Sequence, residues 1–180
     1  FHVSAVLKNM DGKLMVYDVR PSGEEKLCAA AIDIGTTTVS GVILDMRDGK
    51  ILAKASSGNG QIRFGADVIN RIIESRKEGG QEKLQKAIIE ETINPMLHNM
   101  CHAAGIHGSS IYHMCVASNT TMNHLFAGVN ADPLRMEPYI PAFFETDSIN
   151  AYDLGLHVHP DASVVIAPNI GSYVGGDITA

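Results

Sequence analysis

The sequence predicts an α/β fold in which a mixed sheet joins a three-stranded meander to helical crossovers. After a short hairpin, three strand-like segments follow one another without a helix, and helical and strand-like segments then alternate. A meander pairs antiparallel, whereas strands that are linked through helices pair parallel. The 180 residues are 45% hydrophobic and 19% charged, a globular composition that fits one domain or slightly more.

Turn residues between apolar segments place the strands. Asp11-Gly12 is a hairpin signal between the first two strands, and Gly35-Thr36 and Asp48-Gly49 divide the three strands of the meander. The polar segment 20–26 is typical of a linker, so a domain boundary is expected near residue 27. The predicted strands are 2–9, 13–19, 27–34, 37–45, 50–56, 111–117 and 164–167.

Apolar residues at helical spacing predict the helices, which begin near residue 68, run over 81–103 and run over 119–127. We expect Pro95 to kink the second helix, because its ring displaces the carbonyl four residues back, and Gly105 to end it. Either Ser118 or Asn119 would cap the third helix. Residues 132–150 are expected to be irregular, and a last helix to begin near residue 176.

Composition argues against two classes of partner. The net charge of -6, the pI near 5.7 and the absence of Trp do not suit nucleic acid, which needs basic surfaces and stacking platforms. The sequence shows no leader and no apolar segment of spanning length, so we expect no membrane partner and a cytoplasmic location. Three separated cysteines indicate free thiols in a reducing compartment. His157 and His159 would share a strand face, but no third metal ligand stands at a suitable spacing.

The turn between the first two meander strands carries the main chemical signal. Asp33 precedes Gly35, and three threonines at 36–38 follow. Glycine lets backbone N–H groups approach a ligand, the hydroxyls add uncharged donors, and the carboxylate suits a hydrated Mg²⁺. These residues would form a cradle for nucleotide phosphates. The alternative is a plain glycine turn with β-branched threonines on the solvent side of a strand.

The order of elements around this turn resembles the first subdomain of the actin, sugar-kinase and Hsp70 superfamily of ATP-binding proteins, which has a ribonuclease H-like architecture. Five ordered segments resemble, more narrowly, the ATPase domain of reductive activators of corrinoid proteins. These segments are AIDIGTTTV (31–39), QIRFGADVINRI (61–72), SNTTMNHL (118–125), PLRMEPYIP (133–141) and GGDITA (175–180). The chain departs from that family at Gly60, where Pro is more frequent, and at Ser118, where Gly is found.

The resemblance implies a domain organisation and a reaction. Residues 1–27 would end a linking domain, and residues 28–180 would form the N-terminal half of an ATPase domain. Such activators use ATP and Mg²⁺ to drive reduction of Co(II) to Co(I) on a partner corrinoid protein. Their [2Fe-2S] cluster lies in an upstream ferredoxin-like domain, and its four cysteines are not in this chain.

The same resemblance names the candidate site residues. Asp33 would bind Mg²⁺, and Asp177 is either a catalytic base, by analogy with sugar kinases, or an acid that stabilises a helix N-terminus. Arg63 and Asp67 would face the cleft or the partner, or form a surface ion pair. The residues expected to contact nucleotide are Asp33, Gly35, Thr36, Thr37, Thr38, Asn119, Gly175 and Gly176.

Two other functions fit the superfamily: a small-molecule kinase with Asp177 as base, and an actin-like scaffold that binds nucleotide without catalysis. The chain alone is expected to be inactive as an ATPase, because only one wall of the nucleotide cleft would be present. It is also expected to form a homodimer, either through an apolar face left bare near residues 164–167, on the expectation that the last helix is cut after Ala180, or through the unoccupied cleft.

Overall fold

The structure, a computed structural model, describes residues 2–10, 12–23, 26–172 and 174–179. It contains a two-stranded hairpin, β1–β2, and a six-stranded sheet in the order β5-β4-β3-β6-β8-β7. The strands are β1 (Val3–Met10), β2 (Lys13–Pro21), β3 (Cys28–Ile34), β4 (Thr38–Asp45), β5 (Ile51–Gly58), β6 (Ile111–Ser118), β7 (Ile149–Asn150) and β8 (Ser163–Ile166). The helices are α1 (Val68–Ser75), α2 (Gly80–Ile88), α3 (Asn94–Ala104), α4 (Thr120–Ala127) and α5 (Gly176–Thr179).

The predicted mixed α/β sheet is confirmed. β3, β4 and β5 pair antiparallel as a meander, whereas β6 pairs parallel with β3 and β8 pairs parallel with β6. The parallel pairs are joined through helices, as crossover connections require. The carboxyl ends of β3, β6 and β8 therefore lie along one edge of the sheet.

The longest helical segment differs from its prediction at one turn. A π-helical turn, Ile89–Ile93, joins α2 to α3, and Pro95 lies in the first turn of α3. The wider turn accommodates the missing N–H and the ring of Pro95, so the helix is irregular at the place where the proline was predicted to disturb it. Gly105 ends α3 in the left-handed conformation, as predicted.

The remaining differences concern short elements. The sequence analysis did not predict the short 3₁₀ turns or the two-residue strand β7. The 3₁₀ turns are Gly60–Phe64, Gly108–Ser110 and Asp132–Arg135. β2 extends to Pro21, so the predicted linker begins later, and its residues Glu24 and Glu25 lie outside the described part of the chain. Asp11 of the hairpin turn and Ala180 also lie outside it.

The core lies between the sheet and the helices on one of its faces. Alternate residues of β3 are buried there, and Gly41 of β4 leaves room for the side chains of Met96 and Met100 on α3. The largest buried apolar side chains are Ile32, Ile34, Ile43, Ile72, Leu84, Ile88, Ile89, Ile93, Leu97, Met100 and Phe126. Helix packing on one face thus fixes the sheet, and with it the turn that follows β3.

The opposite face of the sheet is partly open. A hollow of about 680 Å³ lies there, lined mainly by apolar atoms of small side chains such as Ala31 and Val42, with Asp33, Ser40 and Cys115 among them. The predicted bare face near residues 164–167 is wrong in its position, because Val164, Ile166 and Ala167 are buried. The open surface lies over β3, β4, β5 and β6 instead. None of the described helices is long and apolar enough to cross a membrane.

The β1–β2 hairpin contacts the amino ends of the parallel strands through polar and aromatic side chains. Asp18 accepts hydrogen bonds from Arg20 (Oδ2–Nε 2.5 Å) and from the hydroxyl of Tyr112 on β6 (2.7 Å). Arg20 also donates to the carbonyl of Ser109, and His159 stacks on the Tyr112 ring at 4.6 Å between centroids. The hydrogen bonds from Arg20 and Tyr112 lower the pKa of Asp18 to about 2.

Candidate functional site

The glycine–threonine turn joins β3 to β4 at the carboxyl edge of the sheet. The Gly35 N–H donates to the Thr38 carbonyl over 2.9 Å and closes the turn. A Cβ atom at position 35 would lie 2.6 Å from that carbonyl oxygen, so glycine is required by this close approach. Thr37 and Thr38 are exposed, and Thr36 is half-buried. The turn therefore presents hydroxyl groups to solvent from a rigid hairpin.

Asn59 holds the turn from the end of β5. Its side-chain amide donates to the Gly35 carbonyl over 2.9 Å, and its backbone N–H donates to the Thr37 carbonyl over 2.8 Å. Its side-chain oxygen accepts from the Gln61 N–H and so also caps the 3₁₀ turn Gly60–Phe64. Asn59 is buried, and these bonds fix the backbone on both sides of Thr36.

Arg71 of α1 lies beneath the same turn and is fully buried. Its guanidinium donates to the carbonyls of Thr36 (2.5 Å) and Gly65 (2.9 Å). It also contacts the side-chain oxygen of Gln61 (3.3 Å) and the sulfur of Met122 on α4 (3.2 Å). Burial lowers the pKa of Arg71 from its ordinary value.

Asn119 links the turn to α4. Its side-chain oxygen accepts from the Met122 N–H over 3.0 Å and caps the helix, which decides between the two predicted caps, Ser118 and Asn119. Its amide group donates to the Thr36 hydroxyl over 3.3 Å. Ser118 instead ends β6 and contacts the Asn123 side chain. The predicted contact residue Asn119 thus lies directly beside the threonine turn.

Gly175 and Gly176 bring the short helix α5 against the start of α4. A Cβ atom at Gly175 would lie 2.4 Å from the Thr120 N and 2.5 Å from the Ser118 carbonyl oxygen. A Cβ atom at Gly176 would lie 2.7 Å from the Ala167 carbonyl oxygen. Both glycines are buried and permit close approach of two backbones. Their predicted contact with nucleotide stays a prediction.

Two carboxylates at this edge, those of Asp33 and Asp177, influence each other through their negative charges. Asp33 lies near the end of β3, and Asp177 lies in the first turn of α5; both are exposed. Partial desolvation of the Asp33 carboxyl, and after it the negative charge of Asp177, raise the pKa of Asp33. Neither carboxylate has an ion-pair partner among the described residues. Mg²⁺ uses one or two carboxylates and keeps several waters, so an exposed carboxylate such as that of Asp33 suits this ion.

The predicted nucleotide-contact residues therefore lie at one edge, whereas other residues singled out in the sequence lie elsewhere. Arg63 pairs with Glu91 over 2.5 Å on the surface, and Asp67 caps α1 through the Asn70 N–H. The two do not pair with each other, so the i,i+4 ion pair is wrong. His157 and His159 are not in a strand, and no described His, Cys, Asp or Glu group of three could hold a metal ion.

Sequence reasoning missed Asn59, Gln61 and Arg71. All three lie in or next to the segment QIRFGADVINRI, which resembles the activator family but contains no chemical motif of its own. A buried arginine cannot be told from a surface arginine by residue type, and arginine is almost always exposed. The signal that could have found Arg71 is its place beside Ile72, on the apolar side of a short helix.

The mixed sheet, its crossovers and the glycine–threonine turn at its carboxyl edge define an α/β domain of the actin-like class. Comparison with known proteins makes this assignment more specific. The chain belongs to the RACo middle region family, which matches residues 28–180.

Two relatives are similar over nearly the whole chain. A corrinoid activation enzyme, RamQ, from Eubacterium limosum is 35% identical over 92% of this chain. A solved structure of a reductive activator for corrinoid, iron-sulfur protein is 37% identical over 98% of this chain, with a TM-score of 0.90. The chain spans 28% of the length of each of these two proteins.

Proposed function

We propose that this chain provides the first phosphate-binding wall of an ATP-dependent reductive activator, which drives Co(II) to Co(I) reduction of a corrinoid protein. The observation that carries the proposal is the threonine turn, which presents the hydroxyls of Thr37 and Thr38 beside the Asp33 carboxylate. The membership of the RACo middle region family, and the names of the two relatives, supply the reaction class.

The chemistry of the turn suits a bound triphosphate. Hydroxyl and backbone groups can donate to phosphate oxygens, and the network beneath the turn keeps them in place before a ligand binds. Asp33, with Asp177, would hold Mg²⁺, which neutralises phosphate charge when bound. In the full-length protein, one electron would pass from a reduced [2Fe-2S] cluster to Co(II), which leaves the cluster oxidised by one electron. ATP hydrolysis would supply the free energy for that transfer.

The full-length protein with Asp33→Asn tests this function. We expect Mg²⁺-dependent ATP hydrolysis and ATP-driven Co(I) formation to fall at least tenfold, about 1.4 kcal/mol, because the metal loses a charged ligand. Asp153→Asn is the matched control, since Asp153 is an exposed acid outside the site. Hydrolysis is followed by phosphate release and Co(I) by visible absorbance. Equal rates in both variants would show that Asp33 does not bind the metal.

A small-molecule kinase is the second candidate, because Asp177 is exposed in the first turn of α5, whose preceding Gly175 packs against the start of α4 beside the threonine turn. A kinase would transfer phosphate to a small acceptor and leave a corrinoid protein in the Co(II) state. In a kinase, Asp177→Asn would abolish transfer while ATP binding is retained. In an activator, where Asp177 would help Asp33 to hold Mg²⁺, the same variant would weaken Mg²⁺-dependent ATP binding and Co(I) formation together.

Location and assembly remain predictions. The free thiols Cys28, Cys101 and Cys115 suit a reducing compartment, and we propose the cytoplasm. A homodimer of this chain would use the open sheet face over β3 to β6, where the hollow lies. Light scattering of the purified chain tests the dimer, and a mass that stays monomeric at high concentration would contradict it.

A further inference from the structure

Arg71 is a buried cation whose described contacts are all neutral. It donates to two backbone carbonyls, Thr36 and Gly65, and contacts the Gln61 amide oxygen and the Met122 sulfur. No carboxylate in the described part of the chain lies within ion-pair distance of it. The negative charge of Asp67 affects the pKa of Arg71 less than burial does. The Asp67 carboxylate accepts its hydrogen bonds from the backbone and side-chain N–H groups of Asn70.

A charge in such surroundings is costly. Removing a cation from water costs several kcal/mol even after relaxation, and buried charges are normally paired with an opposite charge. A methionine at position 71 would avoid that cost but would leave the Thr36 and Gly65 carbonyls without their donor. A neutral donor could serve the same carbonyls, so hydrogen bonding explains a polar side chain at this position but not its charge.

The position of Arg71 places its positive charge against the backbone of the threonine turn. The Thr36 carbonyl, which accepts from Arg71 over 2.5 Å, belongs to the same peptide unit as the Thr37 N–H. A cation on the carbonyl oxygen polarises that unit and makes the N–H a stronger donor. In a trans peptide unit the C=O and N–H point in opposite directions, so the Thr37 N–H points away from the buried Arg71, and Thr37 itself is exposed.

We propose that Arg71 is a positioning residue that holds the threonine turn through Thr36 and favours an anionic phosphate group there with its buried charge. This inference rests on the proposed function, since it takes the turn as the phosphate site. It names the chemical part of the ligand that the charge recognises, which is the phosphate chain rather than the nucleoside. A bound polyphosphate would supply the negative charge that the surrounding protein lacks.

Arg63 provides a matched comparison in the same segment. It is also an arginine near the 3₁₀ turn, but it is more than half exposed, pairs with Glu91 and lies over the Phe64 ring. Its charge is compensated and screened by water. Arg63→Met therefore removes a positive charge from the same region without removing the buried cation.

The experiment measures the affinity of the full-length protein for ATP, for inorganic tripolyphosphate and for adenosine by calorimetry. For Arg71→Met we expect at least a tenfold loss for ATP and tripolyphosphate and less than a twofold change for adenosine. Arg71→Gln, which keeps donors for the carbonyls but not the charge, should show the same loss. Arg71→Lys should bind both phosphate ligands within about threefold of the wild type, and Arg63→Met should bind all three ligands normally.

Several outcomes would overturn the inference. Arg71→Met or Arg71→Gln could bind tripolyphosphate as the wild type does, or could lose adenosine and ATP affinity equally, as a merely structural role requires. If neither neutral variant folds, Arg71→Lys decides, because a tenfold loss of tripolyphosphate affinity in that variant contradicts a role for the charge. A wild-type protein that binds neither ATP nor tripolyphosphate would refute the proposed function itself, which keeps the two failures distinct.

Discussion

The two edges of the sheet carry polar networks of opposite character. At the amino ends of the parallel strands, Asp18 and Arg20 of the hairpin form an ion pair that Tyr112 completes. At the carboxyl ends, the described contacts of Arg71 are all with neutral groups, and no cation among the described residues pairs with Asp33 or Asp177. Charge is matched within the first network and left unmatched, in both signs, within the second.

This difference indicates that the amino-edge network attaches the hairpin to the sheet, whereas the carboxyl-edge network suits the binding of a ligand. A network whose charges are matched has little to gain from a ligand, so it suits the permanent contact of the hairpin with the sheet. A network with unmatched charges is less favourable in the free protein and gains when a ligand of opposite charge arrives. Under the proposed function, the carboxyl edge would bind a metal ion at its carboxylates and an anion near its arginine, which are the two parts of a magnesium–phosphate complex.

The largest effect on the carboxyl edge is expected from Gly175→Ala. The new methyl group would meet the backbone of Ser118 and Thr120 at about 2.5 Å, and backbone atoms cannot rotate away. We expect a loss of about 3 kcal/mol in the free energy of unfolding, measured by urea denaturation. Gly171→Ala is the control, because nothing lies within 4 Å of its added Cβ. Equal stability of both variants would show that α5 is not held against α4.

Asn59→Ala should have the next largest effect. The variant leaves the Gly35 carbonyl without its donor and removes the cap of the 3₁₀ turn, which together should cost about 2 kcal/mol. Asn130→Ala, an exposed asparagine that bonds only a neighbouring N–H, should change stability by less than about 0.5 kcal/mol. Thermal unfolding of both variants measures the difference. A similar small loss in both would mean that Asn59 does not hold the turn.

How far the sequence predicts this fold depends on the range of the interactions. The hairpin, the meander and the parallel strands follow from local alternation and turn residues, and each was found within a few residues of its predicted bounds. The π-helical turn Ile89–Ile93 was not predicted, because the spacing of apolar residues does not distinguish a helix kinked by proline from a helix that contains a π turn. β7 has two residues and depends entirely on its neighbour β8, which no local pattern encodes.

The candidate site shows the same limit more clearly. Asp33 and the threonine turn are a recognisable motif, and Asn119 was found through its position before a helix. Arg71 was not found, because its role comes from contacts with Thr36 and Met122, which are separated from it by 35 and 51 positions in the chain. Supporting residues are defined by three-dimensional neighbours, whereas the residues that they support are defined by local sequence.

The smallest effect is expected at the amino edge, from Asp18→Asn. The variant weakens the charge-assisted bonds to Arg20 and Tyr112 and should cost about 1 kcal/mol, seen as faster proteolysis of the hairpin at pH 7. Because the folded pKa of Asp18, about 2, lies below its ordinary value of 3.8, the stabilisation is present above pH 4 and lost as pH falls towards 2.

The control for this prediction is Asp153→Asn, which should leave both the proteolysis rate and its pH dependence unchanged. NMR titration of the Asp18 carboxyl measures the pKa directly. A value near 3.8 would mean that the hairpin contacts the sheet without help from this charge. The network at the amino edge would then not be one in which charges are matched.

The three thiols also make the chain suitable for single-site chemical labelling. Burial raises the pKa of Cys28 to about 11 and also raises that of Cys101, so both react slowly as nucleophiles. Cys115 is exposed in the hollow and pairs with Ala31, two residues before Asp33 on β3. A maleimide fluorophore would attach there in the natural sequence, and its emission would report on events beside the threonine turn without any engineered cysteine.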